Sequence, residues 1–176
     1  MLLIKKIEIL KREPSKVRLF FEDNTYVVSI NTIAKFALYE GKELEDNELA
    51  EIVSDGLYSD LLERTSNYIT YSPRTEKQVR QYIHKYLVKI KVAELNIKYD
   101  DIVEEVIEKL KEFKYINDYE YAKLFVKSRL DNKPRSKFVL KGELFSKGID
   151  KETAESVLEE LFPDSIEVLT NLYQKK

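Results

Sequence analysis

One phrase occurs twice in this chain, and its repetition constrains the fold more than any other feature. Pro73-Arg74-Thr75 stands in the first copy and Pro134-Arg135-Ser136 in the second. A basic, apolar-striped stretch, a short polar loop and a second apolar run follow each copy. That run is Val106-Ile107-Glu108-Lys109-Leu110 in one and Val157-Leu158-Glu159-Glu160-Leu161 in the other. A recurring supersecondary unit predicts a helical array whose stacked units present one extended surface. Such a surface suits a long partner better than a small substrate held in a pocket.

Composition narrows the class. The chain has 176 residues, enough for one large or two small domains. Hydrophobic residues at 43% supply a core, while 35% charged residues with only 4 Gly and 4 Pro favour long solvated helices and short connections. Cysteine is absent, which excludes disulfides and thiolate zinc sites and fits a cytoplasmic protein. The start, Met1-Leu2-Leu3-Ile4-Lys5-Lys6, lacks the apolar core of a signal peptide. No stretch approaches the apolar run of about 20 residues that spans a bilayer. The expectation is a soluble cytoplasmic protein without membrane contact.

The net charge of −2 hides blocks of alternating sign. Residues 74–91 carry six Lys or Arg against one Glu, residues 100–112 six acids against two Lys, and residues 123–147 eight Lys or Arg against two acids. Alternating blocks commonly form a solvated, mutually paired pattern. Here the basic blocks coincide with the repeated phrases, which points to a shared surface.

Residues 1–30 read as β structure: Ile4 to Leu10, Val17 to Phe21 and Tyr26 to Ile30, with a polar turn at Glu22-Asp23-Asn24-Thr25 and another at Pro14-Ser15. From Asn31 the period becomes helical. Ile33, Phe36, Ala37 and Tyr39 fit a helix closed by Gly41. Asp46 or Asn47 is placed to cap a second helix carrying Leu49, Ile52 and Val53 and ending near Gly56.

Beyond Leu57 every periodic segment is helical. Leu61, Leu62, Tyr68 and Ile69 share one helix. Thr75 with Gln78 forms a capping box ahead of Val79, Tyr82, Ile83, Tyr86 and Leu87. Ile102, Val103, Val106, Ile107, Leu110 and Phe113 make a core-facing stripe. Asn117 with Glu120 opens the helix of Tyr121, Ala122, Leu124 and Phe125. Phe138, Leu140, Leu144 and Phe145 follow, closed by Gly148. Asp150 caps Ala154, Val157, Leu158 and Leu161, and a last helix runs from about Asp164 to Tyr173. The fold class expected is mainly α: tandem three-helix units behind a small N-terminal α+β module with a β-hairpin or three-stranded sheet. The boundaries expected are 1–56 for the module, 57–131 for the first three-helix unit and 132–176 for the second.

Catalytic chemistry has little support. The single His84 lies on a basic helix, where a solvated surface role is the commoner one. Neither a Gly-rich phosphate loop nor a nucleophile motif is present. Asp100-Asp101 and Glu104-Glu105 sit where a helix start favours negative charge, so they do not require a metal. No enzyme activity, cofactor or metal is expected.

The basic blocks carry the binding expectation. Lys77, Arg80, His84 and Lys91 lie roughly on one helix face; Lys123 and Lys127 are four apart, as are Lys137 and Lys141. Arg74 and Arg135 stand at equivalent places beside a helix start, each able to grip a carboxylate or phosphate. A structural alternative pairs each Arg with an acid of its own unit. Tyr68, Tyr82, Tyr86 and Tyr121 fall on apolar stripes and read as core.

Three segments resemble the RecX family, regulatory proteins that act on the RecA recombinase. They are Tyr71-Ser72-Pro73-Arg74-Thr75-Glu76-Lys77-Gln78-Val79-Arg80, then Tyr115-Ile116-Asn117-Asp118-Tyr119-Glu120-Tyr121-Ala122-Lys123-Leu124-Phe125-Val126-Lys127-Ser128-Arg129, then Lys133-Pro134-Arg135-Ser136 with Glu143-Leu144-Phe145-Ser146-Lys147-Gly148-Ile149. The segment Tyr39-Glu40-Gly41-Lys42-Glu43-Leu44 is similar to the leader of longer members. The resemblance implies a monomeric, non-enzymatic protein that binds the RecA–DNA filament in its groove. It implies inhibition of the recombinase in homologous recombination, DNA repair and the SOS response. Carried onto this sequence, the family's basic motif positions are Arg74, Arg129, Lys133 and Arg135. The partner-binding set expected is therefore Arg74, Lys77, Arg80, Lys123, Lys127, Arg129, Lys133, Arg135, Lys137 and Lys141.

The chain also departs from the family. Ser72 replaces a commonly basic residue, Gly142 stands mid-helix at a cost of about 1 kcal/mol relative to Ala, and two units are expected here where the family usually has three. Two alternatives stay open: a helical DNA-binding module, and a scaffold whose basic helices only pair with its acidic ones; weak contact with single- or double-stranded DNA is compatible with the filament reading.

Overall fold

The computed structural model describes residues 1–90 and 95–162. The expected last helix, from about 164 to 173, lies outside the described residues.

The N-terminal module contains two antiparallel sheets. Strands β2 (Lys6–Leu10), β3 (Glu13–Phe20) and β4 (Thr25–Ser29) form a meander in the order β2-β3-β4. Strand β1 (Leu2–Leu3) pairs instead with the distant β5 (Glu43–Leu44), setting Leu2 opposite Leu44. That pairing clasps the start of the chain onto the entrance of the long helix. The β2–β3 turn falls at Lys11-Arg12, not at Pro14-Ser15. Both of those residues are in β3, beyond a register shift between Ile9 and Leu10. Proline is tolerated there because it stands near the first residue of the strand.

Helix α1 (Ile30–Lys35) is shorter than expected. It stops at Phe36, and Ala37 takes a left-handed conformation (φ 45°), so Tyr39 and Gly41 lie beyond the helix. Helix α2 (Asp46–Thr70) is the largest correction. Its cap is Glu45, whose side chain forms a capping box with Glu48, rather than Asp46 or Asn47. The helix continues through Gly56 to Thr70, so the expected end at Gly56 gives way to one element shared by sheet and helices. Gly56 is there because Val28 of β4 packs onto it: a Cβ at Gly56 would lie 2.8 Å from Val28 Cγ1.

Helices α3 (Glu76–Leu87) and α4 (Tyr99–Glu112) pack against α2. One apolar cluster runs from Ile4, Leu19 and Val28, through Leu49, Ile52, Leu57 and Leu61, to Val79, Ile83, Val106, Ile107 and Leu110. Helices α5 (Asp118–Asn132), α6 (Lys137–Ser146) and α7 (Lys151–Leu161) enclose a second cluster of Ala122, Val126, Leu140, Leu144, Ile149, Ala154, Val157 and Leu158. Residues 131 and 132 end α5 inside this second group. Buried Ala122 and Ala154 leave room for α5 and α7 to approach closely. The Thr75–Gln78 capping box forms, and Asn117, Ser136 and Asp150 cap α5, α6 and α7. Gly148 closes α6 with φ 91°.

Candidate interaction surface

The two copies of the repeated phrase start helices in the same way and then meet opposite surroundings. Thr75 caps α3 and is fully buried. Its hydroxyl accepts from the Gln78 N–H (3.3 Å) and donates to the Lys147 carbonyl (2.8 Å), 72 residues away in the α6–α7 turn. The next N–H, of Glu76, donates to Asp118 Oδ1 (2.9 Å) at the start of α5. The Lys77 stem lies against Gly148, where a Cβ would be 2.5 Å from Lys77 Cβ, and its ammonium donates to the Ser146 carbonyl (3.4 Å). The first phrase is thus the joint between the two apolar clusters. Burial raises the Asp118 carboxyl above its usual range, opposed by the Glu76 N–H that it accepts.

Arg74, beside the joint, packs within the first unit. Its guanidinium lies 4.5 Å above the Tyr68 ring, which stacks on Tyr82 at 4.3 Å. Its Nε is buried with no hydrogen-bond partner among the described residues. Tyr68, Tyr82, Tyr86 and Tyr121 are half-buried rather than core. Tyr86 donates to Asp60 (2.5 Å), and burial together with that carboxylate pushes its hydroxyl up to about 12.

The second phrase is open. Lys133, Arg135, Ser136, Lys137 and Phe138 are all exposed, Phe138 at 86%. Phe138 was expected on the apolar stripe of α6. The buried residues of that helix are Leu140 and Leu144, and a position two residues before Leu140 points roughly 200° away from it.

The ten expected binding residues divide by partner. Arg80 holds Glu104 with both terminal nitrogens (2.6 and 2.8 Å) and Glu76 with Nε (2.7 Å), which raises its pKa further above its ordinary range. Lys123 pairs with Glu160 (2.6 Å), Arg129 with Glu143 (2.9 Å) and Lys141 with Glu155 (2.5 Å). Arg129 also covers Phe125, at 4.9 Å. Lys77 serves the joint, and Arg74 packs on Tyr68 of α2. Lys127, Lys133, Arg135 and Lys137 have no ion pair among the described residues and gather on the last turns of α5, the following loop and the first turn of α6. His84 is exposed on α3, and Lys91 lies outside the described residues. The structure therefore does not place all the basic residues on one surface. It leaves four cations without an ion pair among the described residues, three of them within five residues of the exposed Phe138 along the chain, a set able to bind a polyanion.

A second polar cluster escaped the sequence. Asp60 accepts from Lys16 (2.6 Å), Arg64 (2.7 Å) and Tyr86, and Lys16 also meets Glu13 (2.5 Å). Burial works against the charged Asp60 carboxylate, but its three donors outweigh it and hold the pKa below the usual range. The cluster pins β3 to α2 and α3. Among the described residues no group of acids and histidine is arranged to hold a metal, and no helix is long and apolar enough to cross a membrane.

The comparisons with known proteins agree with this architecture. The family model described as RecX, second three-helix domain, matches residues 117–158, the stretch holding α5, α6 and nearly all of α7. The chain is 27% identical to "Regulatory protein RecX" of Finegoldia magna over 95% of its own length and 77% of that protein. It is 27% identical to the protein of the same name from Bacillus pumilus, over 94% of this chain and 59% of the relative. A crystal structure of regulatory protein RecX superposes with TM-score 0.67 at 21% identity, over 93% of this chain and 76% of that one. That of RecX from Lactobacillus salivarius gives 0.53 at 28% identity, over 68% and 77%. The match of α5–α7 to a RecX domain, and likeness along nearly the whole chain, make this chain similar to the RecX regulatory proteins.

Proposed function

We propose that the protein is a non-enzymatic regulator that binds the RecA–DNA filament and lowers recombinase activity, acting in the cytoplasm in recombinational repair and the SOS response. The observation that carries this reading is similarity along 95% of the chain to a protein named for regulation. The fold supports it: α2–α4 and α5–α7 form two helical units, hydrogen-bonded to each other at Thr75 and Glu76, behind a leader clasped to the first. Such a body suits a long groove. Contact falls to the free cations Lys127, Lys133, Arg135 and Lys137. The paired cations Arg80, Lys123, Arg129 and Lys141 hold the helices, Lys77 holds the joint, and Arg74 packs on Tyr68.

The test is RecA ATP turnover on single-stranded DNA, titrated with the purified chain. Turnover falls with added chain, and falls less with the double variant Arg135→Glu, Lys137→Glu. Unchanged turnover at saturating chain would defeat the proposal.

A further inference from the structure

We propose that the knuckle formed by the end of α5, residues 133–136 and the first turn of α6 is a single-stranded nucleic-acid contact, with Phe138 stacking on a base and Lys133, Arg135 and Lys137 on the flanking phosphates. The assignment deepens the filament reading by naming the filament component this face meets, and it rests on that reading for the source of the strand.

Three observations carry it. First, none of the four cations is held in an ion pair. Lys127, Lys133, Arg135 and Lys137 have no carboxylate within ion-pair distance among the described residues, whereas their neighbours Lys123, Arg129 and Lys141 each have one.

Second, two residues here work against their own helix. The repeat aligns Glu76 with Lys137 and Lys77 with Phe138. The first copy puts an acid in the first turn, where the helix dipole favours negative charge; the second has no acid in that turn and starts with Lys137. The first copy places a lysine where the second holds a phenylalanine at 86% exposure. Local choices that harm stability mark functional positions.

Third, the chemistry matches one ligand class. Single strands are bound by cations tracking the backbone with aromatic rings offered to bases, which every base can stack on. A duplex would keep its bases from Phe138. An acidic protein segment would meet the charges but gain less from an isolated ring amid four cations, since interface centres are poor in lysine.

The test uses the full chain and a labelled thymidine oligonucleotide about 16 nucleotides long, read by fluorescence anisotropy. Wild-type binding weakens with salt, with a log–log slope near −2 when the three phosphate-contacting cations engage, at about 0.7 per cation on a single strand. Phe138→Ala weakens binding about tenfold, and Phe138→Trp restores it. Lys137→Glu weakens binding and flattens the slope. It does not lower the melting temperature, because the acid now suits the helix start. Lys11→Glu, on the exposed β2–β3 turn, changes nothing.

Co-sedimentation with RecA filament, run on the same proteins, separates the two ideas. If wild type fails to bind the oligonucleotide at low salt, or Phe138→Ala and Lys137→Glu bind it as wild type does, the strand contact is overturned while filament binding stands on its own result. If both variants lose filament but not oligonucleotide, the knuckle meets protein and the strand contact is again overturned.

Discussion

Thr75 and Ser136 cap equivalent helices, yet removing their hydroxyls is expected to have very different effects. Replacing Thr75 by Val keeps the branched shape of a fully buried side chain and deletes two hydrogen bonds. Loss of the cap costs about 1 kcal/mol. The Lys147 carbonyl, left without the only donor it has among the described residues, adds about 1–3 kcal/mol. The total is about 3 kcal/mol, or roughly 6–12 °C in melting temperature for a chain of this size. Ser136→Ala removes a single exposed cap bond at 3.4 Å and costs about 0.5–1 kcal/mol. Urea unfolding followed by circular dichroism measures both, with Thr75→Ser as the control that restores the bonds. Equal losses at the two positions would refute the idea that the first phrase is a joint and the second a free surface.

Four further outcomes follow from the structure. Gly56→Ala destabilises by about 1–3 kcal/mol, because the new Cβ meets Val28 Cγ1 at 2.8 Å, whereas Gly142→Ala, with nothing within 4 Å, stabilises by up to about 1 kcal/mol; thermal melts of the two variants check the contrast. Asp60→Asn leaves Lys16 and Arg64 short of a partner and costs about 2–4 kcal/mol near neutral pH. The folded pKa of Asp60 is depressed, so its stabilisation is present above the unfolded value near 4 and is lost as pH falls through the folded value; the gap between wild type and variant therefore closes in acid melts. Arg80→Gln lowers the melting temperature, since it frees Glu76 and Glu104, but leaves filament co-sedimentation of the folded protein unchanged.

The helical class, the caps and the repeat were legible because each has a local signature. Thr75 and Gln78 announce a capping box by spacing alone, and Gly148 announces a helix end. The failures share a cause in long-range packing. Gly56 looks like a stop until Val28, 28 residues earlier, is seen to need its missing side chain. Pro14 looks like a turn, though a strand accepts proline near its first residue. Lys, Arg and Glu patterns gave blocks of charge but not their pairing, so Arg80 read as a contact when Glu104 on α4 already holds it. Phe138 fitted an apolar run; the four-residue spacing of Leu140 and Leu144 was the signal that it faces away.

The most direct measurement is co-sedimentation of the purified chain with RecA assembled on single-stranded DNA, beside the same DNA without RecA. Much tighter retention by the filament than by bare DNA, reduced by charge reversal at Arg135 and Lys137 and untouched by Lys11→Glu, is the result expected of a filament regulator. Equal retention by filament and bare DNA would contradict it.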